Sequence, residues 1–257
     1  MTLTGNISLA GHLAVLVGGL VAGTIDAIAG GGGLITVPAL LAVGLPPHLA
    51  LGTNKVQSTV GVATAMLRYR QGKIVRIRQW TRAIIFTALG AAGGAALIQR
   101  LSPGLLAWLI PGLLVLILVY TLLTPSLGEK ERPERVKPAV LQPVAGTVLG
   151  FHDGFFGPGT GTFWAMTLVG LGGLDLRRAT AATKVMNFTS NLVAAVLFVA
   201  AGQVVVTVAA VMIVGQVIGS MIGAHLVLQR PPRFIRWVLI FSVTATAARL
   251  LWKQFAS

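Results

Sequence analysis

Two aspartates and two lysines hold most of the chemistry this chain can offer. Of its six carboxylates, Glu129, Glu131 and Glu134 share one charged stretch and Asp175 lies in a short connection. That leaves Asp26 and Asp153, both inside apolar segments, as are Lys55 and Lys184. A charge at a helix centre in a membrane costs about 2.5–3.5 kcal/mol on insertion scales, so four cost on the order of 10–14 kcal/mol unless paired or wet. Two readings follow. One is a polar site or pathway between two halves of the molecule; the other is a structural Asp–Lys bridge in each half. They are compatible, because a bridge can open for a substrate.

Glycine runs follow both aspartates: Gly30 to Gly33 after Asp26, and Gly157-Pro-Gly-Thr-Gly161 after Asp153. Glycine lets the chain turn sharply, and such a turn exposes backbone N–H groups and the N-terminus of the next helix, an anion-binding end. Close helix packing by small residues is the alternative. The spacing lacks the Lys-Ser/Thr end of a nucleotide loop. Around the lysines, Asn54, Gln57, Ser58 and Gly61 share one helical face, and Lys184, Asn187 and Asn191 recur at i, i+3, i+7. Donors beside a lysine suit an oxyanion; interhelical hydrogen bonding is the alternative. His152 adjoins Asp153 and reads either as part of a proton path or as a hydrogen-bonded core residue. His12, His48 and His225 are too scattered for a metal site, and with no cysteine there is no thiolate chemistry.

The elements that position these residues are apolar helices. The 257 residues are 55% hydrophobic and 10% charged, where a soluble domain is about 25% charged. That excludes a soluble enzyme, a disordered chain and a nucleic-acid module, and indicates a polytopic membrane protein. Runs long enough to span a bilayer, roughly 20 residues, lie near 9–29, 48–68, 83–101, 104–124, 139–156, 176–200, 204–228 and 234–254. Two runs, 34–45 and 162–171, are half-length and suit re-entrant segments or arms of hairpins. The first fifteen residues carry no Lys or Arg, unlike a signal peptide, so the first run is expected to be retained. Trp80, Trp108, Trp237 and Trp252 fall near the expected interfaces. Gly90 and Gly94, with Gly215, Gly219 and Gly223, form small-xxx-small faces for helix crossing.

The sequence also matches itself at a shift of 127 to 130 residues. Gly23-Thr-Ile-Asp26 lies over Gly150-Phe-His-Asp153, Asn54-Lys55-Val56 over Thr183-Lys184-Val185, and Gly90 and Gly94 over Gly219 and Gly223. This predicts a first repeat over 1–127, a charged linker over 128–138 and a second repeat over 139–257. Charge orients them. The loop at 68–82 carries Arg68, Arg70, Lys73, Arg76, Arg78 and Arg82, and its counterpart near 200–203 carries none; Arg230, Arg233 and Arg236 follow one helix whose counterpart is followed by Arg100 alone. Positive loops mark the cytoplasmic side, so the halves are expected to be inverted. The net charge of +14 is then a topology signal, and no aromatic-interleaved basic face suggests nucleic acid.

At Gly23-Thr-Ile-Asp-Ala-Ile-Ala-Gly-Gly-Gly-Gly33, Gly52-Thr-Asn-Lys-Val-Gln-Ser58, Gly154-Phe-Phe-Gly-Pro-Gly-Thr-Gly161 and Thr183-Lys-Val-Met-Asn-Phe-Thr-Ser-Asn191, the chain resembles the TauE/SafE sulfite exporter family of membrane transporters. The resemblance covers nearly the whole chain. It implies export of sulfite or organosulfonates across the bacterial inner membrane, with paired helical hairpins around a central anion site. The residues alone reach a small anion bound between inverted halves.

The expected architecture is thus all-α: a transmembrane bundle of two inverted repeats, each a re-entrant-like hairpin plus three spanning helices. Expected substrate contacts are Gly31, Gly32, Gly33, Asn54, Lys55, Gln57, Ser58, Gly159, Thr160, Gly161, Thr183, Lys184 and Asn187. Asp26 and Asp153 are expected to hold the lysines when the site is empty or to carry coupling protons. No cofactor, metal or catalytic residue is expected; the partners are a small anion and the lipid bilayer, and the protein is a monomer or homodimer. Both termini are expected to be periplasmic and loops 68–82 and 125–138 cytoplasmic. A passive anion channel is the alternative on the same scaffold. An intramembrane enzyme would have only His152-Asp153 to work with.

Overall fold

The computed structural model describes residues 7–102, 104–106, 109, 132–231, 233–235, 237, 238 and 241. The runs at 104–124 and 234–254, the first part of the linker, both chain ends, Trp108 and Trp252 lie wholly or mostly outside these residues. Among the described residues the chain is helical, without strands: α1 (Leu9–Ala29), α2 (Gly33–Ala42), α3 (Pro47–Gln71), a 3₁₀ turn (Ile77–Trp80), α4 (Thr81–Ile98), α5 (Pro138–Phe155), α6 (Thr160–Gly170), α7 (Leu176–Ala200) and α8 (Val206–Gln229).

Local chemistry sets several of these ends. Ser8 Oγ caps α1 by accepting from Gly11 N–H at 3.2 Å, and Asp175 caps α7 by accepting from Arg178 N–H at 3.0 Å. Pro47 and Pro138 open α3 and α5 at positions where a missing N–H costs nothing. α1 stops at Gly30, whose left-handed φ of 79° ends the helix. The half-length runs form α2, of 10 residues, and α6, of 11, each about 15–17 Å long and too short for a bilayer core of about 30 Å.

Among the described residues, four stretches are long and apolar enough to cross a membrane: Leu9–Ala29, Ile77–Ile98, Leu176–Ala200 and Val206–Gln229. The runs at 48–68 and 139–156 also form helices, α3 and α5, but do not join that group. α3 is long enough at 25 residues, yet it buries Thr53, Asn54, Lys55 and Gln57, and this polar content dilutes its apolarity. Apolar side chains among the described residues pack the interior in three clusters, but they also cover much of the exterior, while polar groups collect inside. Leu13, Val17, Leu89, Val144, Val148, Val196, Val214 and Ile218 are exposed, while Asp26, Lys55, Asp153, Lys184, Asn187, Ser190, Asn191 and Gln216 are buried. An apolar exterior of this extent suits lipid.

α1 lies along α8 and α4 along α5; α3 and α7 pack on each other at the centre, α3 also touching α8 and α7 touching α4. The short helices pack on the long one that follows, α2 on α3 and α6 on α7. Each contact has a counterpart when the first four helices are exchanged with the last four. Small residues permit the closest of them: a Cβ on Gly219 would lie 2.0 Å from Leu20 O, and one on Gly94 would lie 2.1 Å from Phe151 O.

The basic segments gather at one end. Leu228 packs on Gly72, Arg177 Nε donates to Val227 O at 2.8 Å, Arg132 N–H donates to Gly173 O at 2.8 Å, and Gln142 Nε2 donates to Gln79 O at 3.1 Å. These bonds tie the C-terminal ends of α3 and α8 to the N-terminal ends of α4, α5 and α7. Among the described residues, every Lys and Arg sits at this end except Arg100, at the far end of α4, and the buried Lys55 and Lys184.

Candidate functional site

The two glycine turns meet inside the molecule. A Cβ on Gly30 would lie 2.6 Å from the Gly161 backbone, and one on Gly161 would lie 2.5 Å from Gly30 Cα. The turns are therefore in backbone contact, and the helices that follow, α2 and α6, start beside each other. The turns themselves take several of their first N–H groups: Leu34 donates to Gly31 O at 3.1 Å, Ile35 to Gly32 O at 3.0 Å and Thr160 to Gly157 O at 3.1 Å. Flanking this contact from either side are α3 and α7, which bring in the lysines.

Lys55 Nζ lies 2.6 Å from Asp153 Oδ1, and Lys184 Nζ lies 3.1 Å from Asp26 Oδ2. Each ammonium also donates to the main-chain oxygen of its aspartate. The pairs are crossed: each lysine bonds the aspartate of the other half. This corrects the expectation of an Asp–Lys bridge within each half. The reason is tertiary. The C-terminal turn of α1 abuts α7, and that of α5 reaches the turn before α6 beside Lys55, whose Nζ lies 2.6 Å from where a Gly157 Cβ would be. Lys55 is 1% exposed and Lys184 0%, so both pairs are desolvated and depend on their remaining hydrogen bonds. Asp153 Oδ2 accepts from Ser190 Oγ, and Asp26 Oδ1 accepts from Gly32 N–H at 3.3 Å.

Between the pairs lies a polar cavity of about 20 Å³, lined by Asp26, Gly30, Gly33, Asn54, Lys55, Ser58, Val62, Asp153, Gly157, Gly161, Asn187 and Asn191. That is room for about one water. Of the expected contacts, Gly33, Asn54, Lys55, Ser58, Gly161 and Asn187 line it, together with both aspartates. Lys184 reaches it through Asp26.

The others stand behind the lining. Gly31 O accepts from Leu34 N–H at 3.1 Å, and the Gly32 N–H is taken by Asp26. Gly159 is the left-handed N-cap of α6, with φ 82°. Thr160 Oγ1 donates to Gly157 O at 2.8 Å and meets His152 Nδ1 at 2.8 Å. Thr183 Oγ1 donates to Ala179 O at 2.8 Å, along its own helix. Gln57 Nε2 donates to Asn54 Oδ1 at 2.8 Å and to Ser58 Oγ at 2.9 Å, orienting the two side chains that line the cavity.

Five participants are absent from the expected contacts. Thr36 donates to Asn54 Oδ1 at 2.5 Å, and no spacing links it to that helix. Ser190 holds Asp153, but the residue at its place in the first half is Gly61. Gly30 and Gly157 could have been found as the first glycines of their runs, where the left-handed turn is needed: φ is 79° at Gly30 and 99° at Gly157. Asn191 follows Lys184 at i+7 and is visible in that periodicity. Among the described residues no group of three His, Asp or Glu side chains could hold a metal ion.

The sequence pattern of the family described as "Sulfite exporter TauE/SafE" matches residues 15–250. A "Probable membrane transporter protein" of Haemophilus influenzae is 41% identical over 236 residues, 92% of this chain and 92% of the relative. The "Probable membrane transporter protein YfcA" of Escherichia coli K12 is 40% identical over 233 residues, 91% of this chain and 87% of the relative. A more distant "Probable membrane transporter protein YjnA" of Bacillus subtilis is 22% identical over 256 residues, 93% of this chain and 99% of the relative. No solved structure gives a significant match. With a multi-pass arrangement of apolar helices around a buried polar centre, and a family match spanning nearly its full length, the chain belongs to the TauE/SafE family.

Proposed function

We propose that this protein is a secondary transporter that exports a small sulfur-containing oxyanion, sulfite or an organosulfonate, across the bacterial inner membrane. The observation that carries this reading is the pair of crossed, desolvated Lys–Asp bridges at the contact of the two glycine turns. Buried ionisable groups deep among apolar helices are costly and mark ion or substrate pathways. Sulfur as the central atom of the anion is inferred from the family description.

The site is electrically balanced when empty, two ammonium groups against two carboxylates. A four-atom oxyanion exceeds one water's share of volume, about 30 Å³, so it enters only as the pairs part and the cavity widens. The anion then takes the place of a carboxylate at Lys55 and Lys184. Asn54, Ser58 and Asn187 and the N–H groups of Gly33 and Gly161, which line the cavity at the starts of α2 and α6, supply further donors, as charge-assisted hydrogen bonding to an oxyanion requires. Asp26 and Asp153 latch the lysines in the empty state, and a proton on either carboxylate offsets the charge that the anion brings.

The repeat reading has support as well. Helix contacts recur between the first four and last four helices. α3 ends at the basic end, where its counterpart α7 begins, and α4 begins where its counterpart α8 ends. That is the pattern of inverted halves, with the lysine helices crossing at the centre and one half rocking against the other. On this reading the basic end is cytoplasmic.

Two measurements test the proposal. Thermal unfolding of the purified protein with sulfite, sulfate, thiosulfate, taurine or sulfoacetate should show stabilisation, about 2.7 kcal/mol at a hundredfold excess over Kd. No response to any of them refutes a sulfur-anion site. Counterflow of labelled sulfite in proteoliposomes should show trans-stimulation; its absence makes the scaffold a channel.

A further inference from the structure

Along the seam between α3 and α8, polar features continue beyond the central cavity. The two helices run parallel and in step. Val205 N–H donates to Thr53 Oγ1 at 3.0 Å, Gln216 Cγ lies 2.2 Å from where a Gly61 Cβ would be, and Leu228 packs on Gly72. The cavity reaches Val62 on α3. At that level Gln216 inserts into the space left by Gly61, and Ser220 lies one turn further on the same face of α8. Gln216 is 1% exposed and Ser220 0%. Gln216 Oε1 and Ser220 Oγ have no hydrogen-bond partner, and neither has Gln57 Oε1, one turn before Gly61. Buried polar atoms are seldom left so unless water or a ligand visits them.

One turn beyond Ser220, on the outer side of the seam, lies an open cleft of about 320 Å³ lined by Arg68, Met221, Ile222, His225, Leu226 and Leu228, with Met221 and Ile222 exposed; in this structure the buried Ser220 separates it from the central cavity. Six residues separate Val62 from Arg68, about 9 Å of helix. The corresponding seam between α7 and α4 has a different character. The offset that lays Lys55 on Lys184 and Gly90 on Gly219 sets Thr87 at the place of Gln216, Ala91 at Ser220, Leu197 at Arg68 and Ala96 at His225. Thr87 keeps a buried unpartnered hydroxyl, but the other three are apolar.

We propose that the α3–α8 seam is the path of an oxyanion between the basic end and the central cavity, with Arg68 and His225 as an outer docking site and Gln216 as its gate. This rests on the anion-transport reading and adds to it a route and a second binding position. Arg68 beside apolar walls concentrates anions at the mouth, where low-dielectric surfaces focus the field. Gln216 is neutral and can turn its amide N–H toward a passing anion.

The chain contains no cysteine, so single cysteines report accessibility directly. Ser220→Cys is treated in vesicles of both orientations with an anionic and a cationic methanethiosulfonate. Lys73→Cys, in an exposed part of the basic loop, marks the basic side. Ser220→Cys should react from that side, with the anionic reagent favoured by about tenfold or more. Arg68→Gln should erase the preference, Gln216→Ala should speed labelling of Ser58→Cys from the same side, and Ala91→Cys should stay inert. An inert Ser220→Cys, labelling from the opposite side, or an unchanged preference in Arg68→Gln overturns the route. A preference confined to vesicles containing anionic phospholipid assigns the cleft to a lipid headgroup and overturns the outer docking site. Ethanesulfonate should protect Ser220→Cys. If it neither protects nor stabilises the wild-type protein, the sulfur-anion reading fails, while the labelling pattern still decides the route.

Discussion

The crossed pairing of the two ion pairs is testable by double-mutant cycles. Lys55→Met leaves Asp153 buried with Ser190 as its remaining side-chain donor. Breaking one partner of a buried pair costs about 3–5 kcal/mol, because a charge remains without its counter-ion. For a domain of this size that corresponds to a fall in Tm of about 6–20 °C, by the scaling of soluble proteins. Asp153→Asn alone should cost a similar amount. The double variant Lys55→Met/Asp153→Asn removes both charges and should recover most of the loss, giving a coupling of several kcal/mol. The control is the pairing within one half, Lys55→Met/Asp26→Asn. It leaves Asp153 and Lys184 both without a counter-ion, so its losses should add without recovery. Unfolding in mixed micelles of lipid and denaturing detergent, followed by circular dichroism, reads all of these states. Coupling in the Lys55/Asp26 cycle, or its absence from the Lys55/Asp153 cycle, would refute the crossed geometry.

Other consequences follow from the same contacts. Gly30 and Gly44 both have left-handed φ, 79° and 89°, but a Cβ on Gly30 meets the Gly161 backbone at 2.6 Å while one on Gly44 meets nothing within 4 Å. Gly44→Ala should therefore cost only the left-handed penalty of about 1–2 kcal/mol; Gly30→Ala should cost clearly more and abolish transport, measured by thermal unfolding and sulfite flux. Lys184→Ala should remove the stabilisation by anion in the thermal assay while the protein still inserts; unchanged affinity in both Lys184→Ala and Lys55→Ala would return these residues to a structural role. Leu89, exposed on α4, should tolerate Phe. Leu89→Lys should impair insertion by about 3 kcal/mol, read as the membrane-integrated fraction; full tolerance would mean that this face does not meet lipid.

Much of the fold was legible because membrane helices are specified by local composition. Apolar runs bounded by Pro, Gly and basic residues gave α1, α2, α4 and α6 to α8 to within a few residues, and the half-length runs came out short. Apolarity alone was a weaker guide at α3, where an inward polar face lowers hydropathy without preventing a helix. The residues of the site were also visible in part. A charge inside an apolar run is conspicuous, so Asp26, Lys55, Asp153 and Lys184 stand out, and periodicity finds Asn54, Ser58 and Asn187 beside them. Thr36 and Ser190 left no such trace, since their contacts come from another helix or from a position without a counterpart in the other half.

By itself the sequence determined which groups are buried with charge and that they recur in two sets, because desolvation cost and helical period are local properties. Tertiary structure decided their partners. Two glycine turns in backbone contact bring the end of α1 to α7 and the end of α5 to α3, so each lysine finds the carboxylate of the opposite half. Ion pairing selects by distance in the folded chain, and proximity along the sequence says little about it. The same packing sets α3 in step with α8, leaving one seam polar and cationic where its counterpart is mostly apolar.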